Sequence, residues 1–273
     1  MIRKLYPYGK KKAFNITYDD GVTQDVRFVE LLNKYGLKGT FNLNSGLMES
    51  EFEWIHESGT VVKRLNADTA RTLYDGHEVA SHTLSHPYMH ALGREETVYE
   101  LSRDKAELEK LFGREIKGFA LPFDYFSELI KSCVIDCGFE YARISEETYS
   151  FRPGKDYYSW GATVFHCRPG LMELSYGFLN THEELALFQI VGHSYDLDTE
   201  NMWELMERVF ELISSRDDIL PMTTIEIIDY LKAMDKAELT DMYIQNNSNL
   251  SLWFAVNNTV REVKPGERLD IAS

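Results

Sequence analysis

The sequence predicts an α/β fold with parallel strands and a small β appendix at its C-terminal end. Short apolar runs alternate with amphipathic stretches over most of the chain. Polar clusters recur where the apolar runs stop. From about residue 241, YIQNNSNLSLWFAVNNTVREVKPGERLDI changes to period-two alternation with Asn and Pro-Gly turns. Strand–helix alternation implies parallel strands covered by helices, in either a barrel or an open sheet. The expected division is 1–240 for the α/β domain and 241–273 for a β-rich extension packed on it.

Residues 12–18 read as the first strand. Thr23 is placed to cap a helix over QDVRFVELLNKY, with Val26, Val29 or Phe28, and Leu32 on its apolar face, and Gly36 ends it. KGTFNL (38–43) is the next strand. EFEWIHE and TVVKR, joined by Ser58-Gly59, read as a hairpin. Asn66 or Asp68 opens a short helix that Gly76 closes, and HEVAS (77–81) is the third strand of the main series. A long amphipathic helix spans 94–112. GFALP (118–122) is a strand, SELIKSCVIDC a helix and FEYARI a strand. LALFQIVG (185–192) reads as a buried strand, followed by helices over TENMWELMERVFELISS and TTIEIIDYLKAMDKAE.

Composition narrows the function. The 273 residues are 44% hydrophobic and 27% charged, enough apolar material for a full core, and the formal net charge is −15. No basic stripe is present to displace counterions, so nucleic acid and anionic membranes are not expected partners. MIRKLYPYGKKKAFNITY is basic but lacks the apolar core of a signal peptide, and no run is long enough to cross a bilayer. A cytoplasmic location is the expectation. The three cysteines, Cys133, Cys137 and Cys167, are too few and too odd for a disulfide framework. A thiolate zinc site with His166 is conceivable, but Cys133 and Cys137 read first as small buried helix side chains.

Chemistry gathers at strand ends. Asp19-Asp20-Gly21 follows the first strand, His82 and His86 in SHTLSH follow the third, Pro122-Phe123-Asp124 follows a later one, and Gly192-His193-Ser194 follows another. In a parallel barrel these ends open on one face. A four-residue separation on a helical turn would bring His82 and His86 close enough to share a cation. One carboxylate would complete a His-His-Asp set with open positions, suited to catalytic zinc or a related divalent ion, leaving the other to hold a proton. His90 continues the spacing but lies past Pro87, so it reads as a surface histidine.

TYDDG, SHTLSH, ALPFDY and IVGHS, in that order, resemble the motifs of the polysaccharide deacetylase family, the chitooligosaccharide deacetylase homology domain. LLNKYGLKGTFNLN and GHEVASHTLSH resemble its connecting segments, and the likeness covers roughly residues 10–235. It implies a distorted (β/α) barrel and metal-dependent removal of N-acetyl groups from an amino-sugar saccharide. By motif, Asp20, His82 and His86 match the metal ligands, with zinc the expected ion. Asp19 matches the base, His193 the acid, and the backbone N–H of Phe123 the donor to the oxyanion. Such parts answer a chemical need. A divalent cation polarises an amide carbonyl and can lower the pKa of water to about 7; a donor steadies the oxyanion, and an acid protonates the leaving amine.

Two positions depart from the family pattern. Ala120 stands where an arginine usually orients the base, which makes Arg143 and Arg168 candidate replacements. The aspartate and tryptophan that support the acid histidine have Asp156 and Trp160 as their nearest counterparts. Trp160 or Tyr195 is also a candidate to pack on a sugar ring. The competing expectations are a hydrolase of a small non-sugar amide using the same site, and a saccharide-binding protein without turnover.

Overall fold

The computed structural model describes residues 2–48, 53–123 and 125–271. Asp124 and the hairpin residues Glu51 and Phe52 lie outside the described residues. The core is a parallel sheet whose strands are β1 (Lys12–Asp19), β2 (Gly39–Leu43), β3 (Glu78–Ser81), β4 (Gly118–Ala120), β5 (Tyr141–Glu147), β6 (Trp160–Ala162), β7 (Val164–Phe165), β8 (Ala186–Gly192) and β9 (Ile219–Pro221). β1 pairs along one edge with β8, and on its other edge with β9 at Lys12–Phe14 and β2 at Ile16–Asp19. The order then runs β2, β3, β4, β5. The short β6 pairs with β5 and the adjacent β7 pairs with β8. Residues 160–165 therefore close the sheet on itself, and the fold is a distorted (β/α) barrel.

Alternation along β1 shows how the barrel is filled. Phe14, Ile16 and Tyr18 face out and pack under the helices, with Phe14 edge-on to Phe210 and Tyr18 stacked on Phe28 at 4.1 Å. The opposite face carries Asn15, Thr17 and Asp19, all buried. Buried polar groups need partners, and low in the barrel they find them in each other. Gln189 Nε2 donates to Asn15 Oδ1 at 2.7 Å, Trp160 Nε1 to Gln189 Oε1 at 2.7 Å, and Tyr141 OH to Glu78 Oε1 at 2.8 Å. At Gly118 a Cβ would stand 2.2 Å from the Tyr141 hydroxyl, so only glycine fits there.

The helical layer comprises α1 (Asp25–Lys34), α2 (Ala67–Leu73), α3 (Arg94–Phe112), α4 (Glu128–Asp136), α5 (Leu171–Asn180), α6 (Ser194–Thr199), α7 (Trp203–Ser214) and α8 (Thr224–Met234). Asn66 caps α2 by accepting from Thr69 N at 2.8 Å. Thr23 caps nothing: α1 starts after Gln24, which makes no side-chain cap, and Phe28 rather than Val26 takes the buried face. The helix expected across 199–215 is α7, which starts later, at Trp203; α6 is a separate helix that ends at Thr199, and Asn201 at φ 53 lies between the two.

Cys133 is buried on α4 and Cys137, half-buried, is the residue that caps its C-terminal end, while Cys167 is exposed on a separate loop. Ile2–Leu5 joins Leu252–Val256 and Thr259–Val263 in one antiparallel sheet, and Glu238–Leu239, Tyr243–Gln245 and Arg268–Asp270 form another. Phe254, Leu252 and Ile244 pack with α8 in a second apolar cluster. Among the described residues no helix is long and apolar enough to cross a membrane.

Candidate functional site

Asp20, His82, His86, Phe123 and His193 meet where β1, β3, β4 and β8 end. Asp20 leaves β1 at φ 84, a left-handed conformation unusual for a residue with a side chain. Thr83 (φ 71), His86 (φ 55) and Phe123 (φ 58) are left-handed too. Such clustering of backbone strain marks places where the surrounding structure dictates geometry. The expected helical turn over His82–His86 is absent: the segment is a loop whose reversals at Thr83 and His86 bring the imidazoles to a ring separation of 4.9 Å. His90 sits outside this group against Tyr88 and Tyr125.

One ligand atom each from Asp20, His82 and His86 lies within 4.8 Å of the other two. Asp20 Oδ1 stands 3.5 Å from His86 Nε2 and 4.0 Å from His82 Nε2, and it is buried with no hydrogen-bond partner. A buried carboxylate oxygen that accepts no hydrogen bond, is ion-paired with Arg64 and faces two imidazole nitrogens completes a donor set that suits a divalent cation. His82 Nδ1 is 2.8 Å from the Ala120 carbonyl, which leaves Nε2 as the ligating nitrogen. Burial, followed by the neighbouring His86, depresses the His82 pKa well below its ordinary value; burial also lowers that of His86. Both are therefore neutral, as ligands must be.

Two residues that sequence reasoning missed brace this set. Arg64 Nη1 donates to the Asp20 carbonyl and to Asn44 Oδ1 and lies 2.8 Å from Asp20 Oδ1. Asn44 Nδ2 in turn donates to the His82 and Thr83 carbonyls. Burial works against the charge on Asp20, but Arg64 and then His193 outweigh it and hold the carboxyl below its ordinary value. Nothing in a hairpin arginine or a post-strand asparagine distinguishes these roles in the sequence.

Asp19 turns into the barrel, where Arg143 Nη2 and Asn42 Nδ2 (2.7 Å) donate to its Oδ1. Arg143 on β5 is the register partner of Ala120 on β4. The small residue at 120 leaves space, and the cation arrives from one strand over. Arg168 does not share in this: it pairs with Glu147 at the surface.

His193 lies across the site, with Nε2 3.9 Å from Asp20 Oδ2. Its Nδ1 is 2.9 Å from Asp196 Oδ2, one turn on along α6. Asp156 and Trp160 do not support it. Asp156 pairs with Lys131 at the surface, and Trp160 is 1% exposed, spent on Gln189 and out of reach of a sugar. An aspartate three residues after the histidine was the available signal. Burial disfavours charge on His193, but the hydrogen bond with Asp196 and the field of Asp20 prevail and raise its pKa to about 9. Behind Asp196 stands His166, whose Nδ1 meets Tyr18 OH at 2.7 Å. Tyr195 stacks on His193 at 4.9 Å and meets Trp54 edge-on.

The polysaccharide deacetylase family model matches residues 7–142, which contain Asp19, Asp20, His82, His86 and Phe123. This chain belongs to the polysaccharide deacetylase family. No curated protein sequence matches it. Among solved structures, a putative polysaccharide deacetylase from Mycobacterium smegmatis is 15% identical, with 85% of this chain and 94% of that one covered at a TM-score of 0.60. A family 4 carbohydrate esterase from Streptomyces lividans, in complex with acetate, is 16% identical over 77% and 91% of the two chains, with a TM-score of 0.51. A CE4 family pseudoenzyme from Bacillus anthracis is 18% identical over 83% and 68%, also at 0.51. The family's deacetylase fold thus extends through β8 and His193, beyond the segment that the family model matches.

Asp25, at the first turn of α1, ties this half of the site to the other. It accepts from Ser194 Oγ at 2.5 Å and from Tyr74 OH at 2.6 Å. Burial raises its pKa to about 7 despite those hydrogen bonds. The folded chain thus keeps a proton that the unfolded chain releases near its ordinary pKa of about 4. That contribution is fully present below pH 4 and is lost as pH rises to 7. Asp25→Asn should therefore gain on the wild type by on the order of 1 kcal/mol per pH unit between pH 4 and 7, then run parallel above it. Urea unfolding across pH 4.5–8.5 reads this directly; a constant difference would place the Asp25 pKa at its ordinary value.

Proposed function

We propose that the protein is a metal-dependent hydrolase that removes N-acetyl groups from an amino-sugar saccharide. The observation that carries this is the convergence of Asp20, His82 and His86 between a braced carboxylate, Asp19, and a braced imidazole, His193. Family membership supports the deacetylase class. Zinc is the ion that best suits two imidazoles and one carboxylate. When bound, it supplies Lewis acidity that polarises the acyl oxygen and lowers the pKa of water.

The chain's own groups do the rest. Asp19, fixed by Arg143 and Asn42, accepts a proton from the attacking water. The Phe123 N–H donates to the acyl oxygen as negative charge builds there. His193, kept protonated by Asp196, delivers its proton to the departing nitrogen. Water and amide are consumed, and acetate and a free amine result. Residues 1–240 form the catalytic unit in this scheme and 241–273 a packing extension.

Chelator-stripped protein should release no acetate from N-acetylglucosamine oligomers and should regain activity with zinc. Calorimetry should show one tight zinc site that His82→Ala loses. Turnover that ignores metal, or survives His82→Ala, would rule the mechanism out. The pseudoenzyme among the fold relatives motivates a second reading, saccharide binding without turnover. Retention of both a base with its cation and an acid with its aspartate favours catalysis. A small non-sugar amide is the rival substrate, and a panel of cyclic and linear amides beside acetylated sugars separates the two.

A further inference from the structure

Asp196, which braces His193, has behind it an imidazole that the proposed reaction does not use. Its Oδ2 stands 2.9 Å from His193 Nδ1 and 3.6 Å from His166 Nε2, so one oxygen lies between two rings. His166 is fully buried, and its Nε2 makes no hydrogen bond among the described residues. A buried polar atom in that state calls for an explanation. The ring is closely placed. It follows β7 directly, its backbone N–H donates to the Val191 carbonyl, and its Nδ1 edge sits where a side chain at Gly192 would be.

The neighbours decide which nitrogen carries the hydrogen. Burial depresses the His166 pKa to about 4, so the imidazole is neutral and only one nitrogen is protonated. Burial, and after it the charge of Asp196, lifts the Tyr18 pKa far above its ordinary value, so the phenol keeps its proton. Tyr18 OH is 2.7 Å from His166 Nδ1. With hydrogen on Nδ1, the Nε2 lone pair would face the Asp196 carboxylate and the buried phenol would lose this acceptor. With Tyr18 donating to Nδ1, the Nε2–H points at Asp196 and both conflicts vanish.

We propose that His166 is a positioning residue for the acid: Tyr18 turns the His166 Nε2–H onto Asp196, which holds that carboxylate against His193 Nδ1 and keeps His193 Nε2 facing the site. The role of His193 as acid rests on the deacetylase reading above; the placement of Asp196 does not. α6 is only six residues long, and the Asp196 side chain is 17% exposed, so the helix alone leaves the carboxylate free to turn toward water. A donor on its inner side removes that freedom. At 3.6 Å the contact is the attraction of a charge for a dipole rather than a hydrogen bond, and the buried setting strengthens it. The arrangement extends the logic in which an acid or base is oriented by a third group. Here Tyr18 and His166 stand where Asp156 and Trp160 do not reach.

The test compares the wild type with His166→Phe, His166→Gln and Tyr18→Phe. Zinc-loaded proteins are assayed on N-acetylglucosamine oligomers and on para-nitrophenyl acetate, whose phenolate leaves without a proton. His166→Phe should lower kcat on the oligomers by about 10–100-fold, part of the roughly 10²–10⁴ that a positioned acid supplies, with KM little changed and the aryl ester within a factor of about three. His166→Gln, whose amide N–H reaches toward the place of Nε2–H, should recover most of the loss, and Tyr18→Phe should fall between. Proton NMR of chelator-treated protein gives a second reading. The His193 Nδ1–H resonance, identified by its absence from His193→Gln, should be sharp in the wild type and His166→Gln and broadened by exchange with water in His166→Phe. Equal loss on both substrates, or a resonance as sharp in His166→Phe as in the wild type, overturns the positioning role and leaves the deacetylase reading standing. A wild type that releases no acetate from the oligomers sinks the deacetylase reading instead. The resonance then decides alone: broadened in His166→Phe it supports the role of His166, and unchanged it overturns it.

Discussion

Arg143→Met should lower unfolding stability by about 3–5 kcal/mol, because it leaves the Asp19 carboxylate buried without its cation. Asp19 is 6% exposed and Arg143 3%, so water cannot replace what the mutation removes. Asn42 still donates to Asp19, but a single neutral donor does not balance a buried charge. The double variant Asp19→Asn with Arg143→Met removes both charges and should recover most of the loss. Acetate release by zinc-loaded Arg143→Met should fall by about 10²–10⁴, the usual worth of a positioned general base, with zinc affinity little changed because Asp20, His82 and His86 are untouched. Denaturant unfolding of the three proteins, with calorimetric zinc titration, decides the matter. Equal loss in the single and double variants would mean that Arg143 serves packing rather than Asp19.

Gly192→Ala should also be costly, by about 1–3 kcal/mol for forced overpacking, and more damaging to turnover than that figure suggests. A Cβ at 192 would stand 1.9 Å from His166 Nδ1 and 2.2 Å from its Cε1. His166 has nowhere to retreat: it is fully buried, and Tyr18 OH holds the same Nδ1. The strain falls on the residue before His193 and on the imidazole behind Asp196. His166→Ala in the same chain should relieve the clash. If Gly192→Ala unfolds at the wild-type midpoint, the strand end is softer than its packing implies.

These two sites also show which parts of the molecule were legible in the sequence. The grouping of Asp20, His82 and His86 was, because strand-end placement and motif order single them out as candidate ligands without coordinates. Helix 94–112 was as well, with the bounds its period suggests. Arg143 could only be a candidate, since its role depends on being the register partner of Ala120, and inter-strand register is not written in a single strand. Arg64 and Asn44 act largely through backbone carbonyls and through each other, and such contacts leave no trace in side-chain patterns. Asp196 is within local reach, one turn after His193, whereas the motif pattern points to an aspartate beside a tryptophan. The closing strands β6 and β7 hold three and two residues, too short to show a period. The histidine loop went the other way: a spacing that suits a helical turn was met by two left-handed residues.

Barrel closure has a consequence for how the chain is made. Asp20, His82 and His86 leave the ribosome early, on strands that pair through β2. The other edge of β1 waits for β8; Asn15 and Gln189, which bond across that seam, are 174 residues apart. Contacts of such separation form slowly. Meanwhile an eight-residue strand, built to be buried along its whole length, offers an open edge to any neighbouring chain. The strand that finally covers it is the one that delivers His193. Bringing His193 into place and covering that edge are therefore a single step of the fold.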